Sequence, residues 1–65
     1  MTTAKERVEL ELKELEERLD KLKTFVLSES FSKLSTVQQV LLTSQVSIMT
    51  SYANCLHRRL EFWED

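Results

Sequence analysis

Two long apolar heptad rows run through a chain of 65 residues that contains no glycine and no proline. That combination constrains the fold more than anything else in the sequence. Glycine and proline are the usual punctuation of turns and helix ends, so without them the chain must stop its helices by other means. Chains below about 70–80 residues rarely gain more than a few kcal/mol from their own core. Small proteins add disulfides, a metal or further copies of themselves. Cys55 is the single cysteine, which excludes an intrachain disulfide. One histidine, His57, and no clustered Cys/His set argue against a structural metal. Oligomerisation is the device left.

The first row defines helix 1. Thr3 and Glu6 have the T-x-x-E spacing of a capping box, which predicts a helix from residue 4. Val8, Leu12, Leu15, Leu19, Leu22 and Val26 then follow at spacings of four and three. At 100° per residue they fall within about 80° of arc, the narrow seam of a coiled coil. Glu14 precedes Arg18, and Glu17 precedes Lys21, by the four residues that favour helix ion pairs. The charged run reads as a solvated face, with Leu10 an exposed exception. Ser28, Ser30, Ser32 and Ser35 then break the pattern, because serine competes for backbone hydrogen bonds and favours turns and caps. Phe31 and Leu34 predict a short helical turn that plugs the end of a hairpin. Ser35 and Gln38 form a second capping box. The reading is one domain over residues 1–65, with helix 1 at about 4–27, a connection at 28–35 and helix 2 at about 36–63.

Helix 2 has a much wider apolar pattern. Leu42, Val46, Met49, Ala53, Leu56, Leu60 and Trp63 form one row, and Val37, Val40, Leu41, Ile48, Tyr52, Cys55 and Phe62 a second group. Together they cover roughly 240° of the helix, whereas one partner needs little more than about 100°. Helix 2 is therefore expected to touch helix 1 on one side and further copies on the other. Leu42, Val46, Met49, Leu56, Leu60 and Trp63 are the expected oligomer interface. The predicted fold class is all-α: a two-helix antiparallel hairpin with a short helical turn in its connection, assembling into a homo-oligomeric helical bundle.

Gln38, Gln45, Tyr52 and Arg59 recur every seven residues among these apolar positions. Seven residues advance a helix by about 10 Å and return to nearly the same side. Buried amides and a buried guanidinium are costly unless paired. Two readings stand. In the first, the row is a polar seam that fixes register across an oligomer axis, with Arg59 paired to a glutamate of helix 1. In the second, it lines a pocket between protomers. There Tyr52 stacks on a base, Gln45 reads its edge, and Arg59 with Arg58 holds phosphate. Gln45, Tyr52, Arg58 and Arg59 are thus the candidate ligand-binding residues.

No catalytic signature accompanies them. His57 lies on a polar strip and reads as a surface histidine, Trp63 as an anchor at the end of the apolar row, and Cys55 as a small hydrophobe. No G-x-S-x-G elbow surrounds the serines, and the carboxylates lie on helix 1 without forming an acid–base pair in an apolar cleft. The expectation is a protein that is not an enzyme and carries no cofactor or metal. The net charge is −2, with 11 acidic against 9 basic residues, which argues against DNA or RNA as a partner. The first residues run straight into charges, so no secretory leader is expected. Leu34–Leu56 carries no charge and is long enough to span a bilayer. Gln38, Gln39, Gln45, Asn54 and many hydroxyl side chains make that span too polar. A cytoplasmic setting is expected, and the lone thiol fits it.

The stretch FVLSESFSKLSTVQQVLLTSQVSIMTSYANCLHRRL, from Phe25 to Leu60, resembles a group of very small helical-hairpin proteins of tailed phages, including the crAss-phage-related ones. Their pattern is an acidic helix, then F-x-x-S-x-x-F-x-x-L, then Q-x-x-L-L-x-x-Q-x-x-x-M-x-x-Y-x-x-x-L-x-x-R. The matching residues are Phe25, Ser28, Phe31, Leu34, Gln38, Leu41, Leu42, Gln45, Met49, Tyr52, Leu56 and Arg59. The resemblance implies a phage origin, and with it the cytoplasm of a bacterial host cell. In size and helical character the chain is also similar to small oligomeric phage proteins that sequester cyclic nucleotide signals of bacterial immunity. That likeness implies a counter-defence sponge with a cyclic nucleotide as its ligand. The alternatives are an oligomeric adaptor or inhibitor that offers the apolar face of helix 2 to a host protein, and a purely structural helical assembly.

Overall fold

The computed structural model describes residues 3–64. They form three helices: α1 (Ala4–Val26), a single turn α2 (Glu29–Ser32) and α3 (Thr36–Glu61). Each helix begins at a hydroxyl side chain in extended backbone. Thr3 Oγ1 accepts from the Glu6 N–H at 3.1 Å, Ser28 Oγ from Phe31 at 3.4 Å and Ser35 Oγ from Gln38 at 3.2 Å. A helix leaves its first N–H groups without internal partners, and such caps satisfy them. Hydroxyl caps do here what glycine and proline do elsewhere, and none of the described residues has a positive φ.

The connection is held by its own side chains. α1 closes at Leu27, whose N–H bonds to Thr24 O at 3.2 Å, and Ser28 N–H bonds to Phe25 O at 2.9 Å. Phe25 and Phe31 meet edge to face with ring centroids 6.3 Å apart, so Phe31 finds its aromatic partner in the last turn of α1. Gln39 Nε2 donates to Ser32 O at 3.3 Å and to Leu34 O at 3.0 Å. It ties the first turn of α3 to the carbonyls of the connection. Its position in the sequence gives no sign of that role.

α1 and α3 pack antiparallel. Val8, Leu12, Leu15, Ala53 and Leu56 make one buried cluster, against which Met49, Leu60 and Trp63 are packed. The described residues measure 48 × 19 × 14 Å, two helices wide and one helix deep. α3 therefore keeps one whole face in solvent. Val37, Val40, Leu41, Ile48 and Phe62 on that face are 56–68% exposed.

This arrangement redistributes the two apolar groups of α3. The row Leu42, Val46, Met49, Leu56, Leu60 and Trp63, expected at the oligomer interface, turns towards α1 within one chain. Leu56 has no exposed surface, Met49, Leu60 and Trp63 pack on the cluster, and Leu42 and Val46 are half-buried. The physical reason is shape. The seam of α1 is narrow and needs an equally narrow row opposite it, and Ala53 at the middle of this row lets the helices approach. The wider second group is left outside. α3 also ends at Glu61 rather than Trp63. The Phe62 N–H bonds to Arg58 O at 3.0 Å and the Trp63 N–H to Leu60 O at 3.3 Å, which closes the last turn. Among the described residues, no helix is long and apolar enough to cross a membrane.

Candidate ligand-binding site

Gln38, Gln45, Tyr52 and Arg59 are all exposed, and no buried polar or charged side chain occurs among the described residues. The buried polar seam is therefore not a feature of a single chain. Instead the heptad spacing sets these four along one flank of α3, between the row that faces α1 and the free apolar face.

Tyr52 is the best fixed of the four. Its hydroxyl donates to the Glu11 carboxylate on α1, so two helices hold the ring. That hydrogen bond, with partial desolvation and the negative charge of Glu11, holds the phenol above its ordinary value of 10.0. The positive charge of Arg59 pulls the other way, which puts the guanidinium within electrostatic reach of the ring. Sequence reasoning missed Glu11 as a partner. The signal was its position beside Leu12 on the edge of the α1 seam, but only the hairpin register brings it to Tyr52.

Arg59 does not pair with a glutamate of α1. The one contact within 4 Å between a basic and an acidic side chain among the described residues joins His57 Nε2 to Glu16 Oε2 at 3.2 Å, on the opposite flank of the hairpin. His57 is thus exposed, as its polar strip suggests, but partnered. Arg59 lines a shallow, open depression with Phe62, Trp63 and Glu64. Arg58 is not brought beside it. Successive helical residues point about 100° apart, and the Arg58 guanidinium lies 6.0 Å from the centroid of the Phe62 ring, on the far edge of the free face. Gln45 lies two turns before Tyr52, and its Nε2 donates weakly to Met49 Sδ at 3.9 Å.

Chemically, this flank offers a stacking ring, a cation and an amide at intervals of about 10 Å. That set suits a planar, anionic molecule. The polar groove on the other flank, lined by Glu16, Asp20, Lys23, Thr50, Asn54 and His57, offers only the imidazole of His57 for stacking, and that ring is held against Glu16. No group of metal-binding side chains occurs among the described residues. The depressions along the single chain are open to solvent, whereas a small-molecule site usually encloses 70–90% or more of its ligand. A flank of this kind can offer at most one wall of such a site.

A family model described as Sequestin matches residues 2–62 of the chain. No curated protein and no solved structure matches it.

Proposed function

The chain belongs to the Sequestin family, and from that premise we propose that it is a non-enzymatic sponge. It binds a cyclic nucleotide immune signal in pockets between protomers, in the service of phage counter-defence in the cytoplasm of a bacterial host. The family description supports sequestration of a small ligand. The observation that carries the finer reading is the flank of Tyr52 and Arg59: a ring fixed by Glu11, one heptad before a guanidinium with no carboxylate within 4 Å among the described residues. Tyr52 stacks on a base, Gln45 bonds to its edge, and Arg59 meets phosphate. Arg58 packs over Phe62 and supports the end of the helix. A sponge has no bond to break, so the lack of a nucleophile paired with a base is no handicap.

The test is direct. Purified protein is melted with and without a panel of cyclic mono- and dinucleotides. A ligand present at 100 times its Kd adds about 2.7 kcal/mol to stability, a plain shift in the midpoint. No shift with any member of the panel would retire the reading. The exposed group Val40, Leu41, Ile48 and Phe62 supports a second reading, an adaptor or inhibitor of a host protein, which predicts capture of a host protein and no nucleotide response.

A further inference from the structure

We propose that the free face of α3 seats the same face of a second copy, antiparallel to it, and that this pairing completes two identical ligand sites. Val37, Leu41, Ser44, Ile48, Ser51 and Cys55 follow one another at spacings of four and three, and Phe62 lies seven residues further on. This is a second coiled-coil seam. It is rotated by about 130° from the row that packs on α1.

Three observations select a second copy as the occupant. The first is charge. No Asp, Glu, Lys or Arg lies between Lys33 and Arg58. A two-fold contact sets the same patch on both sides, so a charged face would repel itself, and this one does not. The second is area. Val37, Val40, Leu41, Ile48 and Phe62 each bare roughly 100 Å² of apolar side chain. Together they offer about 500 Å², more than half of the roughly 800 Å² per partner of a standard interface. The third is the small core: Val8, Leu12, Leu15, Leu19, Ala53 and Leu56 are all that the described chain buries. A chain of this size ordinarily needs more.

The order of large and small residues sets the direction. A parallel pair stacks Ser44 on Ser44, Ser51 on Ser51 and Arg58 on Arg58, giving two thin layers and one like-charge layer. An antiparallel pair, with its dyad between Met49 and Thr50, sets Ile48 against the partner's Ser51 and Cys55 against the partner's Ser44. Phe62 then meets the partner's Val37, and Leu41 meets the stem of the partner's Arg58. Large meets small in the central layers, and the arginines lie at opposite ends. The flanking row follows. Tyr52 comes opposite the partner's Gln45, and Arg59 opposite the partner's Gln38. Each site then has the Glu11-held ring and the cation from one copy and two amides from the other. This last step rests on the ligand reading above; the pairing itself does not.

The single thiol makes the test. In the antiparallel pair the two Cys55 residues lie about 16 Å apart along the axis, beyond the roughly 7 Å limit between Cα atoms for a disulfide. Wild type, Ser44→Cys, and Ser44→Cys combined with Cys55→Ser are oxidised without ligand and run on a non-reducing gel. The expected result is a band at twice 7.7 kDa for Ser44→Cys alone. Sedimentation of the untouched wild type at tens of micromolar should give a dimer or a multiple of it. A monomer there, or oxidation of wild type as ready as that of Ser44→Cys, overturns the pairing. The shared site is tested by mixing. Tyr52→Ala and Gln45→Ala each abolish binding of the nucleotide found in the melting panel. Mixed one to one and allowed to exchange, they regain about a quarter of the wild-type sites, because each mixed pair carries one intact site. No recovery overturns the sharing. If the cross-link forms and no nucleotide binds, the ligand reading fails and the pairing stands.

Discussion

Tyr52 on α3 donates its hydroxyl proton to Glu11 on α1, two residues 41 apart in sequence. The bond spans the groove between the long helices and aims the only aromatic ring in the heptad row Gln38, Gln45, Tyr52 and Arg59.

Tyr52 is the one tyrosine in the chain, so its titration is read directly from tyrosinate absorbance. The midpoint should lie above 10.0. In Glu11→Ala, which removes both the acceptor and its charge, the midpoint should fall. The sign for stability follows from a raised folded value. The contribution of the bond is complete below the unfolded value near 10, and it is lost as the pH rises through the folded value. A midpoint at or below 10.0 in the wild type would show that the bond does not form in solution.

Arg59→Ala should leave the free protein as stable as the wild type, or slightly more so, because no carboxylate lies within 4 Å of it among the described residues. Nucleotide binding should disappear while sedimentation is unchanged. A marked drop in the melting midpoint would instead mean that Arg59 neutralises a buried group in the assembly.

Leu56→Ala should cost about 2–5 kcal/mol, since it opens a cavity at a residue with no exposed surface. Leu10→Ala, at a residue 53% exposed on the outer side of α1, should stay within about 0.5 kcal/mol. Urea unfolding followed by circular dichroism separates the two. Equal costs would mean that Leu10 is covered in the assembly.

On the charged face of α1, Glu9→Ala and Lys13→Ala should each change stability by less than about 0.5 kcal/mol. Glu16→Ala should cost at most about 1 kcal/mol. Its pair with His57 is roughly half exposed on both sides, and exposed pairs contribute little. A larger loss at Glu16 would reveal a further partner.

Ser35→Ala should cost about 1 kcal/mol, because it removes the cap on the Gln38 N–H. Gln39→Ala releases the Ser32 and Leu34 carbonyls to water. It should raise amide exchange in the connection more than at Leu56. Uniform exchange across both regions would sink that expectation.

The helices were legible in the sequence because their causes are local. Thr3 and Ser35 announce two starts, Phe31 and Leu34 the short turn between them, and the α1 seam of Val8, Leu12, Leu15 and Leu19 is narrow enough to have one interpretation. The two groups on α3 were not separable in that way. By periodicity alone, Leu42–Val46–Met49 and Leu41–Ile48–Cys55 are equally good seams, and the choice depends on how closely α1 approaches. Ala53 allows that approach, and it is one small residue in a long row. The pairs Tyr52–Glu11 and His57–Glu16 were out of reach for a related reason. They depend on the register between two helices, which the packing of the Phe25–Phe31 connection sets. Only the heptad spacing of Gln45, Tyr52 and Arg59 was visible beforehand, and it gave their common flank but not their exposure.

The hairpin turns back through a single helical turn, so most of its contacts are short in sequence. Topologies of that kind fold in microseconds to milliseconds, and slow X-Pro isomerisation is excluded because the chain has no proline. Newly made chains therefore reach their helical form almost at once. In the proposed pairing, the pace at which binding capacity builds up is then set by collisions between copies, a second-order process that accelerates as the protein accumulates.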